Sequence, residues 1–244
     1  MSDERIRRRQ GSAVLRSGVP YASSDTTLSL LPGAAVGEWL ADHQDLVRGD
    51  LLDLGCGNQP YRGWYEPLVS TVTALDAAPL PGVDVVAMAD DVPLPDASFD
   101  VILATEVLEH VNDAEKAMSE IFRLLRPGGH VIATVPYLYP THEAPHDYRR
   151  FTHYGLVAIA ERHGLRVVDL ASKGGILSWI AQYAVVALVE VANRLLPKPI
   201  FEYRRLRWLL AAPQEAVIRR RRLARQVSGL STRISLGYMV VCQR

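Results

Sequence analysis

The sequence predicts a doubly wound α/β fold, and two observations carry that prediction. The first is Leu51-Leu52-Asp53-Leu54-Gly55-Cys56-Gly57-Asn58, where an apolar run reaches an acid and breaks into two glycines one position apart. That is the pattern of a buried parallel strand feeding a tight turn before a helix. Without Cβ atoms at 55 and 57 the backbone can turn sharply and a ligand can lie against it. The second is Val72-Thr73-Ala74-Leu75-Asp76, another strand ending in an acid, roughly twenty residues past the glycines, where a carboxylate can accept the hydroxyls of a ribose. In doubly wound folds a turn of this kind, at the carboxyl end of the first strand, holds nucleotide-like ligands.

A chain of 244 residues is long enough for one domain with an elaboration, and 48% apolar residues is ordinary for a globular protein. Cys56 and Cys242 lie far apart and suggest neither a disulfide framework nor a metal site, which fits a reducing cytoplasm. Arg5, Arg7, Arg8 and Arg9 have no apolar segment behind them, so no secretory signal is expected. The net charge of zero hides an asymmetry. Residues 1–173 hold 15 Lys and Arg against 24 Asp and Glu, a balance of −9, while residues 174–244 hold 12 against 3, a balance of +9. An acidic body and a basic C-terminal part face different partners, or each other.

In chain order, residues 1–30 are polar, rich in Arg and Ser and without sustained periodicity, and are expected to form a mobile arm. The domain is then 31–244. Pro32 to Val47 has helical spacing through Val36, Trp39, Leu40, Leu46 and Val47. Val83 to Ala87 reads as a third strand and Ser98 to Ala104 as a fourth. Glu106-Val107-Leu108-Glu109-His110 leads into a helix whose apolar face is Leu108, Val111, Ala114, Ala117, Met118, Ile121 and Leu125. Pro127-Gly128-Gly129 turns that helix into a fifth strand, His130 to Pro136. The following loop, with two prolines and several aromatics, reads as an ordered cover over a ligand cleft. Leu165 to Leu170 is a sixth strand and Ile234 to Cys242 a seventh.

Four motifs in this order, the glycine turn, Asp76, Glu106 to Val111 and Leu124-Leu125-Arg126-Pro127-Gly128-Gly129, resemble the class I S-adenosylmethionine (SAM)-dependent methyltransferases of small-molecule type. The resemblance runs from about Leu51 to Val168, plus the last strand. His146-Asp147-Tyr148…Arg150-Phe151-Thr152 resembles a subset of them, often bacterial enzymes of sugar, glycolipid or natural-product pathways. It implies a Rossmann-like, mostly parallel seven-stranded sheet, the seventh strand antiparallel between the fifth and sixth; where many relatives have a short turn between the last two strands, this chain has a helical insertion over 176–230. It implies SAM as the methyl donor and S-adenosylhomocysteine as the product. Asp53 would orient the loop and the ligand's amino group, Gly55, Cys56 and Gly57 would form the turn, and Asp76 would take the ribose. Gln59 stands where most relatives have a third glycine. Met88 and Ala89 fall where relatives carry an Asp-Ala pair for adenine; a thioether packs on a ring but accepts no amino hydrogen, a task left to Asp90 or Asp91. Thr105 completes the cofactor set.

The reaction this implies is methyl transfer to oxygen of a small molecule or lipid-linked sugar or natural-product intermediate. Transfer to nitrogen or carbon, and a non-methylating SAM-fold protein (a cyclase or a binding subunit), are the alternatives. His110 can take a proton from an acceptor hydroxyl near neutral pH, with His146 second; either can also serve local structure. His142, Glu143, His146 and Asp147 offer ligand chemistry, but nothing in their spacing fixes a coordination geometry, and no metal is expected. The Asp/Asn-Pro-Pro-aromatic element of enzymes that methylate base amino groups is absent, the chain reading Ala104-Thr105-Glu106-Val107, so no nucleic-acid partner is expected. Ile176 to Leu196 is apolar nearly all round, and its 21 residues reach roughly 31 Å as a helix. Both flanking strands belong to one sheet, so it does not cross a bilayer. With Arg204, Arg205, Arg207, Trp208 and Arg219 to Arg222, the stretch 176–225 is expected on an anionic membrane surface or in a homodimer. The expected location is cytoplasmic, with peripheral membrane attachment.

Overall fold

The computed structural model describes residues 13–14, 20–21, 30–195 and 234–244. Within the expected arm, β1 (Ala13–Val14) pairs antiparallel with β2 (Pro20–Tyr21); the rest of it lies outside the described residues. The domain begins with α1 (Leu30–Asp42), followed by a 3₁₀ turn over Gln44–Leu46. Then come β3 (Asp50–Leu54), α2 (Arg62–Tyr65), β4 (Thr71–Asp76), β5 (Val85–Val86), β6 (Phe99–Thr105), α3 (Ala114–Leu124), β7 (Leu125–Pro136), α4 (His153–Arg162), β8 (Arg166–Ser172), α5 (Ile176–Leu195) and β9 (Gly237–Gln243).

Seven strands form one sheet in the order β5-β4-β3-β6-β7-β9-β8. The pairings β4–β5, β3–β4, β3–β6 and β6–β7 are parallel; β9 lies antiparallel to both β7 and β8. This is the doubly wound, mostly parallel sheet that the sequence implies, with the last strand slotted between the fifth and sixth. The order reverses at β3, and the carboxyl ends of β3 to β7 share one rim. Apolar cores fill both faces. One packs α1 and Tyr65 on Leu51, Val101, Leu103 and Ile132; the other packs α3 and α4 on Leu52, Leu54, Ile102 and Val131. Burial on both faces is why β3 and β6 read as continuous apolar runs.

Three differences from the sequence reading have a local reason. The third strand shrinks to two residues because the Asp84 carboxylate accepts the Ala74 N–H at 2.8 Å in place of a ladder bond. Leu108 and Val111 are buried from a turn and not from a helix. The helix starts at Ala114, where the Asp113 carboxylate accepts the Lys116 N–H at 3.0 Å, a cap that contributes about 1 kcal/mol. Pro127-Gly128-Gly129 is not the turn before the fifth strand but lies inside β7, where the Arg244 backbone bonds Gly128 and Gly129 across a register shift. The helical insertion is described as α5; residues 196–233, and with them the arginine cluster, lie outside the described residues.

Candidate active site

The rim begins with the turn after β3. The Cys56 N–H donates to the Leu75 carbonyl at 2.9 Å and pins the turn to β4. Gly55 has φ +65°, and a Cβ there would stand 2.6 Å from Val107 Cγ2, so glycine is required by packing. Gly57 has φ +51°, and its missing Cβ points into open space. Its N–H donates to Asp76 Oδ2 at 2.8 Å, while Asp76 Oδ1 accepts from the Ala78 N–H at 2.9 Å. Turn and carboxylate are thereby one unit. Cys56 is buried, and burial pushes its thiol up to about 12, so it fills space and is not a nucleophile.

Asp53 lies buried beneath the turn and accepts from the Tyr65 hydroxyl at 2.7 Å. Desolvation raises its carboxyl to about 6, against the Tyr65 hydrogen bond and the Arg62 charge, which lower it. Gln59 keeps the left-handed backbone a glycine would have, φ +52°. Its amide is spent on structure: Nε2 donates to the Gly82 carbonyl at 2.6 Å and Oε1 accepts from Arg62 Nη1 at 2.6 Å. At the end of β5, Met88 is 47% exposed while Ala89 is buried and Asp90 half-buried. Asp91 is exposed and faces Lys116 at 3.9 Å.

A second cluster stands where β6 and β7 end. Thr105 is half-buried, and Glu106 follows with φ +56°. Glu106 accepts from Thr134 Oγ1 at 2.5 Å and pairs with the ammonium of Lys173, which is 1% exposed. Glu109 is 0% exposed, and neither carboxylate oxygen has a hydrogen-bond partner among the described residues. Burial, then repulsion from Glu106, holds its carboxyl well above the usual range. His110 Nδ1 lies 2.8 Å from the His146 carbonyl, so that nitrogen carries the proton and Nε2 keeps its lone pair in the neutral ring. Nε2 lies 3.7 Å from Glu109 Oε1 and 3.8 Å from Glu143 Oε2, and the ring meets His142 edge-on at 4.8 Å.

The loop between β7 and α4 is tied down over that turn. Besides the bond to His110, the Tyr148 N–H donates to the Glu109 carbonyl at 2.9 Å and Arg149 Nη2 to the Asn112 carbonyl at 2.6 Å. Asp147 is clasped by Arg150, one bond at 2.6 Å and a second shorter, and accepts the His142 N–H at 2.9 Å. The guanidinium holds the Asp147 carboxyl well below the usual carboxylate range. His146 is exposed, its Nδ1 2.9 Å from the Tyr148 hydroxyl, and contributes its carbonyl inward and not its ring. The geometry therefore joins Gly55, Cys56, Gly57, Asp53 and Asp76 in one unit and His110 with Glu109 and His142 in another. Glu109, Lys173 and Tyr65 were not singled out by the sequence. Their only signal is a polar residue amid apolar ones, which burial alone makes meaningful.

The fold, with its glycine turn and reversed strand order, is the class I methyltransferase fold. Residues 52–133, from β3 into β7, match the model of a methyltransferase domain family. The malonyl-[acyl-carrier protein] O-methyltransferase of Serratia marcescens is 34% identical over 94 residues, covering 34% of this chain and 36% of that protein. The chain spans 36–47% of the length of the curated relatives it matches. Among solved structures, the [4+2]-cyclase SpnF superposes with a TM-score of 0.58 at 16% identity, over 99% of this chain and 92% of that one. A S-adenosylmethionine dependent methyltransferase from Mesorhizobium loti superposes at 0.54 and 17% identity, over 88% and 100%. At such identities the fold alone is shared.

Proposed function

We propose that this chain is a SAM-dependent O-methyltransferase of a small molecule or lipid-linked intermediate, acting in the cytoplasm. The observation that carries the reading is the Gly57–Asp76 unit, a carboxylate fixed beside a backbone turn whose Cβ direction is open. The residues present fit SAM: Asp76 for the ribose, the N–H groups of the turn and buried Asp53 for the methionine end, and Met88, Ala89 and Asp90 around the adenine. When bound, SAM supplies a methyl group already electrophilic on a sulfonium. The chain then has to align the acceptor, exclude water and remove a proton. The acceptor hydroxyl loses its proton at His110, whose Nε2 lies beside Glu109 and Glu143; His146, with its ring turned to Tyr148, stands second. Oxygen is preferred as the acceptor atom because the Serratia relative bears an O-methyltransferase name.

A lipid-linked acceptor draws support from α5. Leu177, Ile180, Ala184, Leu188, Val191 and Leu195 recur at helical spacing and are all exposed, while the buried face holds Ser178, Gln182, Val185 and Val189. The exposed stripe is thus at least as apolar as the buried face, unlike an ordinary surface helix. An anionic membrane surface suits this stripe together with the arginines of 204–225.

Titration calorimetry with SAM and S-adenosylhomocysteine tests the reading. The wild-type chain should bind both, and Asp76→Ala should lose about 1.5–3 kcal/mol, at least tenfold in affinity. No binding by wild type, or equal binding by the variant, overturns the site.

A further inference from the structure

We propose that Glu109, His110 and His142 bind a divalent transition-metal ion at the acceptor end of the sheet. Their ligand atoms all lie within 4.8 Å of one another. Glu109 is fully buried with both oxygens unpartnered, an arrangement that costs free energy unless something else satisfies the carboxylate. The nearby buried ammonium, Lys173, is engaged by Glu106 instead. His110 has the outer anchor that metal-bound histidines have, the His146 carbonyl at 2.8 Å from its Nδ1, while His142 Nδ1 is buried without a hydrogen-bond partner among the described residues, 3.5 Å from Asp147.

Two imidazoles and one carboxylate form a three-ligand set that suits Zn²⁺ and its neighbours and leaves a position open, whereas Mg²⁺ and Ca²⁺ favour oxygen throughout. Bonds of about 2.0–2.2 Å around a tetrahedral ion place ligand atoms about 3.4 Å apart, so the loop carrying His142 must draw in by an ångström or so on loading.

Binding of the ion stands on these side chains alone; its role rests on the methyl-transfer reading. An acceptor hydroxyl on the open position would give up its proton to water more readily than a free one. The oxygen lone pair then forms the O–CH₃ bond as the C–S bond breaks, its electron pair returning to sulfur. In that state His110 Nε2 is a ligand and no longer the proton acceptor; the proton goes to water.

The experiment uses the full chain, treated with chelator and desalted, then titrated with Zn²⁺, and with Co²⁺ followed by its visible bands. One equivalent should bind, and Glu109→Gln and His142→Ala should each weaken it tenfold or more with their thermal melts retained. Failure of wild type to bind, or unchanged binding by the double variant, overturns the site. If Glu109→Gln does not fold, His142→Ala on the loop decides alone. Catechol added to the Co²⁺-loaded chain should shift the visible bands; unshifted bands overturn the open position. A chain that binds SAM but no Zn²⁺ sinks this proposal and leaves the methyltransferase reading standing. One that binds Zn²⁺ but no SAM does the reverse.

Discussion

Asp53 is held under the glycine turn by a single hydroxyl, and its carboxyl is raised to about 6 by burial. An acid with a higher pKa folded than unfolded binds more protons in the folded state. Its contribution is complete below the unfolded value near 4 and is lost as pH rises through 6. The two-unit rise corresponds to about 3 kcal/mol. Asp53→Asn keeps an oxygen for the Tyr65 hydroxyl and removes the charge. Chemical denaturation from pH 4 to 7.5 should therefore show the wild type losing on the order of 3 kcal/mol that the variant keeps; parallel profiles would refute the assignment. The Gly55–Gly57 turn and Asp76 were legible in the sequence because a sharp turn after a strand favours glycine and a second strand ends in an acid at the expected distance, whereas Asp53 was named on the family resemblance. Glu109 was not, since its neighbours His142, Glu143 and Asp147 are brought to it by a loop more than thirty residues on. The ligand types among His142 to Asp147 were visible, but the set that converges takes only His142 from that string.

The two glycines of the β3 turn perform separable tasks. Gly55→Ala would drive a Cβ against Val107 at 2.6 Å and strain a backbone at φ +65°, a cost of about 2–5 kcal/mol that should appear as a lower melting temperature. Gly57→Ala meets nothing, so its stability cost is only the left-handed strain of about 1–2 kcal/mol. Its methyl group enters the space above the turn, and SAM affinity should fall by more than tenfold. Melting curves and calorimetry on both variants separate these outcomes, and the opposite pattern would show that Gly57 faces no ligand. Type and order of the strands could be read from apolar runs, whereas ends could not. Asp84 substitutes a side chain for a ladder bond, Asp113 sets the start of α3, and Gly128-Gly129 is absorbed into β7 by Arg244. Each is a tertiary pairing that periodicity does not encode.

At the scale of the molecule, the basic C-terminal part and the outward apolar stripe of α5 predict membrane attachment. Flotation with anionic liposomes at low salt should carry the protein upward; neutral liposomes or high salt should leave it behind, since each engaged arginine contributes about 1 kcal/mol that salt screens. A soluble dimer under all four conditions would make α5 a subunit interface instead, because apolar association does not weaken with salt. The length and apolarity of α5 were visible in the sequence; which face it turns outward was not. The place of β9 has a further consequence, one of timing. Among the described residues β8 meets the sheet only through β9, which follows it after the whole of α5 and residues 196–236. During synthesis at about 5–20 residues per second, the strand at Arg166–Ser172 waits roughly 4–14 s for its neighbour to emerge. Until β9 is made, the edges of β7 and β8 that it occupies in the finished sheet have no strand to pair with, and Arg166 and Asp169 place charges on β8, a feature that disfavours pairing with a wrong strand.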